Sequence, residues 1–360
     1  VLFGYKPRNQ VQNFKGDLRL MKAVQIVKPY ELKVIDVEMP VMDEKNNVLI
    51  KMTAAGVCGS DVGIYHGTNA AATYPRIIGH EMVGNVAEIG SSVKNLKVGD
   101  RVIVNQVTSC GHCYPCRIGR GNVCDHLAVR GVHIDGGYRE YMAVPESDCY
   151  VLPDSLSDED AVMIEPATIG IQSCTRAELD KDDMLLIYGS GALGSSILKT
   201  ARLICDHIIV ADIQDDKLET AKKNGAAYTI NTFKEDLQEK VKEYTHMRGA
   251  TVSIDAVCSK DSLTQLLLAT GNAGRVMTMG FSTSPTEITQ FAITSKELDV
   301  RGSRLQNKMF GKAIEMVNEG KLDLSGSVSH TFPLIRAQDA FDFVDSHDPS
   351  IRKIVLTFDF

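Results

Sequence analysis

The sequence predicts an α/β protein of two units: a small β-barrel or sandwich first, then a doubly wound parallel sheet. Three observations carry that expectation. Residues 21–160 are rich in Val, Ile and Gly, in short segments broken by turns, as in a compact β unit. From residue 184 onward short apolar runs alternate with helical stretches, the rhythm of a parallel sheet covered on both faces. A length of 360 residues suits two domains at roughly 150 residues each.

In the first unit the strand-like segments read AVQIVK, NVLIKMTAAG, MVGNVAEIG and DRVIVNQV, and a helical stretch over 161–175 leads out of it. The apolar run at 184–188 is followed by a Gly-rich turn and a helical stretch, SSILKTARLI. A second run at 207–211 precedes a helix over 217–224, and further runs stand at 228–230, 251–256, 275–279 and 298–302. From about 308 the chain returns to a helix, KMFGKAIEMVNEG, and a closing strand over 353–358. No internal repeat and no low-complexity tract is visible.

With 44% hydrophobic and 24% charged residues, the chain has the composition of an ordinary globular protein. No apolar run approaches the ~20 residues of a spanning helix. The net charge is −7, and residues 1–20 carry Lys6, Arg8, Lys15 and Arg19 against only Asp17, so the body is more acidic still. An acidic body lacks the electrostatic footprint of a nucleic-acid or anionic-membrane binder. Residues 1–20 also lack a secretory apolar core; they are expected to be a leader or appended segment outside the fold, and the compartment to be the reducing cytoplasm.

Nine cysteines are too few for a disulfide scaffold of this length, and in a reducing compartment clustered cysteines favour metal. Cys110, Cys113, Cys116 and Cys124 follow C-x2-C-x2-C-x7-C. Four thiolates so close in sequence can close around one tetrahedral zinc, with Gly111, Pro115, Gly119 and Gly121 supplying the bends. Such a site has no open position, so it is structural. Cys149, Cys174, Cys205 and Cys258 read as small core residues.

Cys58 and His80 are suitable ligands for a second zinc. A carboxylate would complete three protein ligands and leave one position for water or substrate. Taken singly, each also reads as an ordinary buried residue.

Gly189-Ser190-Gly191-Ala192-Leu193-Gly194 is a G-x-G-x-x-G that follows a predicted strand and opens a helix, with Asp212 closing the next strand. That context makes it a dinucleotide fingerprint. Gly189 permits the turn, Gly191 lets a pyrophosphate approach the backbone, and Gly194 allows close helix–strand packing. Ala192 and Leu193 belong to the helix start, whose N–H groups face the phosphates. Asp212 would bond the adenosine ribose hydroxyls and repel a 2′-phosphate, which favours NAD over NADP.

The segments GVCGSD, GHEMVGNVAEIGSSV and KVGDRV, together with the four-cysteine lobe, resemble the zinc-containing medium-chain dehydrogenases from Met21 to the C-terminus. That resemblance implies a GroES-like β-barrel catalytic domain (21–167 and 308–360, with a zinc lobe at about 105–126) and a Rossmann NAD-binding domain (168–307). It also implies an active site between them, one catalytic and one structural Zn2+, and a homodimer or homotetramer. By position, Cys58 and His80 become catalytic-zinc ligands, with Glu81, Glu165 or a water completing the shell. Asp61 resembles the acid that fixes the tautomer of His80. Ser60 stands at the hydroxyl position that receives the substrate proton. Lys217 matches a ribose-contacting position. Where the family usually has a relay His this chain has Gly63, and His66 is the candidate replacement.

The segments SCGHCYPC, LAV-x-GVH-x-DGG and AVMIEP resemble the bacterial RspB-like subgroup, which is similar to sugar-acid 5-dehydrogenases. This resemblance implies a small-molecule hexonate substrate, with L-gulonate oxidised to D-fructuronate preferred over L-galactonate and L-idonate. His133 and Arg304 are then candidate substrate contacts, and Arg139 a further cationic group. The alternatives are a neutral polyol dehydrogenase, an L-threonine 3-dehydrogenase, and a zinc- and NADH-binding regulatory protein without turnover.

Overall fold

The computed structural model describes residues 19–281 and 284–358; all of the expected leader but Arg19 and Leu20 lies outside them. Among the described residues the first unit opens with ten strands: β1 (Leu20–Lys28), β2 (Glu31–Glu38), β3 (Val48–Val57), β4 (Arg76–Ile77), β5 (Glu81–Ile89), β6 (Arg101–Val104), β7 (Val107–Thr108), β8 (Ala128–Val129), β9 (Tyr141–Val144) and β10 (Cys149–Val151). Helix α1 (Gly59–Tyr65) follows β3, and α2 (Tyr114–Arg117) lies between β7 and β8. Two helices, α3 (Asp158–Ala161) and α4 (Ile164–Arg176), lead out.

β3 is the hub of this unit. It pairs antiparallel with β5 and β9, and its two faces enter different cores. Val48, Ile50 and Met52 face the barrel interior. Ala54 instead joins Val83, Ile103 and the apolar face of α4. A strand buried on both sides cannot alternate apolar with polar residues, hence the nearly unbroken VLIKMTAAGV.

The second unit is a six-stranded sheet, parallel throughout. Its strands are β11 (Met184–Tyr188), β12 (His207–Asp212), β13 (Tyr228–Asn231), β14 (Ala250–Asp255), β15 (Thr270–Thr278) and β16 (Asp299–Gly302). Helices α5 (Ala192–Ala201), α6 (Asp215–Lys223), α7 (Leu237–Tyr244), α8 (Ser262–Ala269) and α9 (Gln290–Thr294) connect them. Spatially the order is β13-β12-β11-β14-β15-β16, the doubly wound order whose direction reverses between β11 and β14. A separate apolar core covers each face. This is a Rossmann sheet beside a GroES-like barrel.

After β16 the chain rejoins the first unit through α10 (Phe310–Asn318), β17 (His330–Pro333), α11 (Ala337–Asp345) and β18 (Ile354–Thr357). β18 pairs antiparallel with β3 and parallel with β17. The expected helix and closing strand are present, but β17 and α11 lie between them. Ala337, Ala340, Phe341 and Val344 follow the helical spacing of an amphipathic segment, and they pack into the barrel core.

Candidate active site

Strand register assembles the open site. β3 and β5 pair so that Gly56 lies opposite Glu81, which brings Cys58, just beyond β3, beside His80 and Glu81 at the start of β5. One ligand atom from each of the three lies within 4.8 Å of the others. Thiolate, imidazole and carboxylate are a donor set that suits zinc and leaves one position open. Glu165 stands outside that group of three.

Asp61 sits in the first turn of α1, wholly buried. Its Oδ2 accepts from the Cys58 N–H at 3.0 Å and its Oδ1 from the Gly79 N–H at 3.3 Å. The same Oδ1 is 3.3 Å from His80 Nδ1, the arrangement that fixes a metal-binding imidazole. The other ring nitrogen, Nε2, is 3.3 Å from Ser60 Oγ. Burial opposes a charge on His80, but the carboxylate of Asp61 and the sulfur of Cys58 hold its pKa well above the ordinary value. Gly79, at φ +92, has no room for a Cβ against the Tyr138 ring. Tyr138 in turn donates to the Gly56 carbonyl at 3.1 Å and to Asp61 at 3.4 Å.

Glu165 projects from the first turn of α4 and is buried. The amide of Gln106, itself wholly buried, donates to its carboxylate. Burial pushes this carboxyl up to about 7; Glu81 adds to the effect, while His80 and Lys353 oppose it.

Two partners of the site escaped sequence reasoning. One is Gln106. The other is Lys353, which ion-pairs with Glu81 in the interior. Burial favours loss of its proton, yet Glu81 and then Cys58 hold its pKa above the ordinary lysine value. A Cβ at Gly56 would overlap both members of the pair. Lys353 immediately precedes β18, whose register with β3 places Val355 opposite Gly56. No local motif signals this pairing across nearly the whole chain.

In the lobe, one sulfur from each of Cys110, Cys113, Cys116 and Cys124 lies within 4.8 Å of the others. Backbone N–H groups of Cys110 and His126 donate to the Cys124 sulfur at 3.3 and 3.2 Å. Hydrogen bonds from the backbone at His112 and Cys113 lower the Cys110 pKa to about 6, while burial and then the Cys113 sulfur raise that of Cys116 to about 11. The set fits one structural zinc. Burial raises the thiols of Cys174 and Cys205, to about 12 and 11, in keeping with inert core residues.

The fingerprint turn joins β11 to α5. Gly189 has φ +105 and donates to the Ala211 carbonyl at 2.7 Å. A Cβ at Gly194 would overlap the Gly189 carbonyl, whereas Gly191 faces open space. This leaves the N-terminus of α5, at Ala192 and Leu193, open to a pyrophosphate. Asp212 closes β12; its carboxylate accepts from the N–H of Ser190 at 2.7 Å, Ile213 at 2.8 Å and Gln214 at 3.0 Å. Lys217 lies on α6, and its carbonyl accepts from the Ser190 hydroxyl at 3.3 Å. Asp212→Ala is expected to raise the NADP-to-NAD ratio of kcat/KM about tenfold or more, because a like-charge clash costs several kcal/mol. Steady-state kinetics with both cofactors checks this, and an unchanged ratio refutes it.

His66 is not brought to Cys58, His80 and Glu81. It ends α1, its Nε2 meets Asp345 at 2.9 Å, and its ring stacks on Tyr30. The structure gives it a bridge to α11 in place of the expected relay position. His133 accepts the Val129 N–H on Nδ1 at 3.2 Å; burial, then the nearby Arg304 and Arg76, lower its pKa. Arg304 lies over the Phe281 ring, its guanidinium carbon 5.7 Å from the centroid. Arg139 is half-buried, and burial lowers its pKa.

An open zinc site beside a dinucleotide crevice equips a protein to take hydride from a CH–OH group. Family comparison agrees: residues 44–154 match the alcohol dehydrogenase GroES-like domain, and residues 192–319 the zinc-binding dehydrogenase domain. The chain belongs to the zinc-type medium-chain alcohol dehydrogenase family, as an NAD-dependent oxidoreductase. It is 39% identical to the starvation-sensing protein RspB of Escherichia coli K12, over 94% of this chain and 99% of that protein. It is 32% identical to the sorbitol dehydrogenase of Bacillus subtilis, over 89% and 93%. Among solved structures it resembles a short chain alcohol dehydrogenase (rspB) from Escherichia coli CFT073 complexed with cofactor NADH. The TM-score is 0.89 at 38% identity, covering 94% of this chain and 99% of that one. No helix among the described residues is long and apolar enough to cross a membrane.

Proposed function

We propose that this dehydrogenase oxidises the C5 hydroxyl of a hexonate to a 5-keto acid, with L-gulonate, giving D-fructuronate, as the preferred substrate. The observation that carries the reading is an uncompensated cation in an acidic chain: Arg304, near the neutral imidazole of His133, has no ion-pair partner among the described residues. A sugar acid supplies the missing carboxylate. Buried Glu165, with Gln106 beside it, supplies polar groups for the neighbouring hydroxyls.

In this reading Cys58, His80 and Glu81 hold the catalytic zinc, which when bound polarises the reacting hydroxyl and lowers its pKa. Asp61 keeps the proton of His80 on Nδ1, so that Nε2 faces the metal. Ser60 accepts the substrate proton. Glu165 would hydrogen-bond the substrate, and it is the alternative to Glu81 as the carboxylate that would complete the zinc ligands. With Gly63 in place of a relay histidine and His66 held by Asp345, the proton leaves Ser60 through water. Gly189, Gly191 and Gly194 seat the pyrophosphate, and Asp212 and Lys217 the adenosine ribose. We place the division between catalytic and nucleotide-binding domains at 167/168 and 307/308, and the protein in the cytoplasm as a homodimer or homotetramer.

A panel of L-gulonate, L-galactonate, L-idonate, sorbitol, iditol and L-threonine, each with NAD and with or without a zinc chelator, tests the reading. Chelator-sensitive NADH formation strongest on one hexonate is the expected result. Turnover confined to neutral polyols or threonine overturns the sugar-acid assignment and keeps the enzyme class. Inactivity of the zinc-loaded protein on every substrate supports a binding protein instead.

A further inference from the structure

A cavity of about 550 Å³, the size of a small-molecule site, opens at the amino ends of β14 and β15. The fingerprint turn and Asp212 stand at the carboxyl ends of β11 and β12 in the same parallel sheet, so the two lie on opposite edges. The six residues of β14 put roughly 20 Å of strand between those edges. No acidic residue lines the cavity, although the chain carries a net charge of −7, whereas Lys242, Arg248 and Lys296 all do. Lys296 is already committed: its ammonium donates to the carbonyls of Leu267, Leu268 and Thr270 at 3.0, 3.0 and 2.8 Å, which uses all three hydrogens. Burial, then the nearby charge of Lys242, lower the Lys296 pKa. Arg248 uses only Nε, on the Thr245 carbonyl at 3.4 Å. Its terminal nitrogens, the Lys242 ammonium and the side-chain amides of Gln238 and Asn272 have no hydrogen-bond or ion-pair partner among the described residues.

Two glycines keep the space open. Gly249, at φ +81, and Gly271 pack backbone against backbone. A Cβ on Gly249 would lie 2.6 Å from the Gly271 nitrogen, and one on Gly271 would overlap the Arg248 carbonyl. The turn that carries Arg248 also holds His246 at φ +50 and Met247 at φ +68, left-handed conformations that such residues keep only when the surrounding fold imposes them. Thr245 fastens this turn: its hydroxyl donates to the Val241 carbonyl at 2.7 Å and accepts from the Gly249 N–H at 2.9 Å. The exposed apolar side chains of Met247 and Leu268 line the same space.

We infer that this cavity is a second ligand site, for a small phosphate ester, with Arg248 and Lys242 on the phosphate and Gln238, Asn272, Met247 and Leu268 against the organic part. A phosphate monoester carries close to two negative charges and three acceptor oxygens at neutral pH. That matches one guanidinium fork together with one point charge, whereas a single carboxylate neutralises only one of them. A water occupies about 30 Å³ of the liquid, so the volume is far larger than an inorganic anion fills. The inference stands apart from the sugar-acid reading and does not need it.

The test uses the full chain, zinc-loaded and saturated with NADH so that the dinucleotide crevice is filled. It is titrated calorimetrically with glucose 6-phosphate, inorganic phosphate and succinate at low ionic strength. Glucose 6-phosphate should bind at one site per chain, more tightly than either of the others. Lys242→Met and Arg248→Met should each raise its Kd about tenfold or more, and Arg248→Lys should recover part of the loss, since it keeps the charge but not the fork. Both residues are exposed, so zinc content and NADH affinity should stay at wild-type values in these variants. Absence of binding to the wild-type chain, or binding unchanged when Lys242 and Arg248 are both replaced by Met, overturns the site. Inorganic phosphate binding as tightly as the ester, or succinate binding more tightly, overturns the assignment to a phosphate ester.

Discussion

Cys58→Ser should abolish NADH formation while leaving NADH affinity unchanged. Cys58 is the sole thiolate of the open site and enters it from the N-cap of α1, where its own N–H is held by Asp61. A serine hydroxyl is a poor zinc ligand at neutral pH, because the ligand must be deprotonated. Even substitutions of the groups behind metal ligands cost ~10–100-fold in affinity or activity, so loss of a direct ligand should exceed that range. The nucleotide crevice begins at Gly189 on another sheet, so NADH binding should survive. Metal analysis on the same sample should show about half the wild-type zinc, the lobe keeping its ion. Full activity with full zinc content would falsify the open-site assignment.

Lys353→Met should produce the largest loss of stability among single changes at the site. The Lys353–Glu81 pair is buried on both sides, and removing one partner of a buried pair leaves an uncompensated charge costing about 3–5 kcal/mol. Zinc bound by Cys58, His80 and Glu81 supplies a replacement positive charge. The fall in Tm should therefore be greater in zinc-stripped than in zinc-loaded protein. Adding Glu81→Gln should restore much of the loss in the stripped form, as a double-mutant cycle would register. An equal fall in both forms, or no recovery in the double variant, would show that Lys353 acts through packing alone.

Local spacing accounts for what was legible in the sequence. The four lobe cysteines are close neighbours in the chain, so their spacing alone predicts a cluster that the structure forms. The fingerprint is likewise one turn between one strand and one helix: Gly189 adopts positive φ, and a Cβ at Gly194 would overlap the Gly189 carbonyl. Cys58 and His80 are legible from residue type as suitable zinc ligands, but Glu81 joins them only through the family resemblance and the β3–β5 register, which unites residues far apart. His66 shows the limit in the other direction. It stands three residues beyond Gly63, the family's relay position, as a candidate replacement; α11, an element not anticipated, carries Asp345, which meets its Nε2 at 2.9 Å.

The sequence by itself determined the two units, the lobe, the dinucleotide turn and the class of chemistry, because each is written in contiguous segments whose geometry follows from local spacing. Only the tertiary structure decided that Lys353 neutralises Glu81, that Gln106 hydrogen-bonds the buried Glu165, and that Arg120 faces Arg304 across a cavity. Each of those pairs joins distant segments through strand register or loop docking. Burial then gives the pairing its energetic weight, since a charge or amide removed from water must find its partner within the fold.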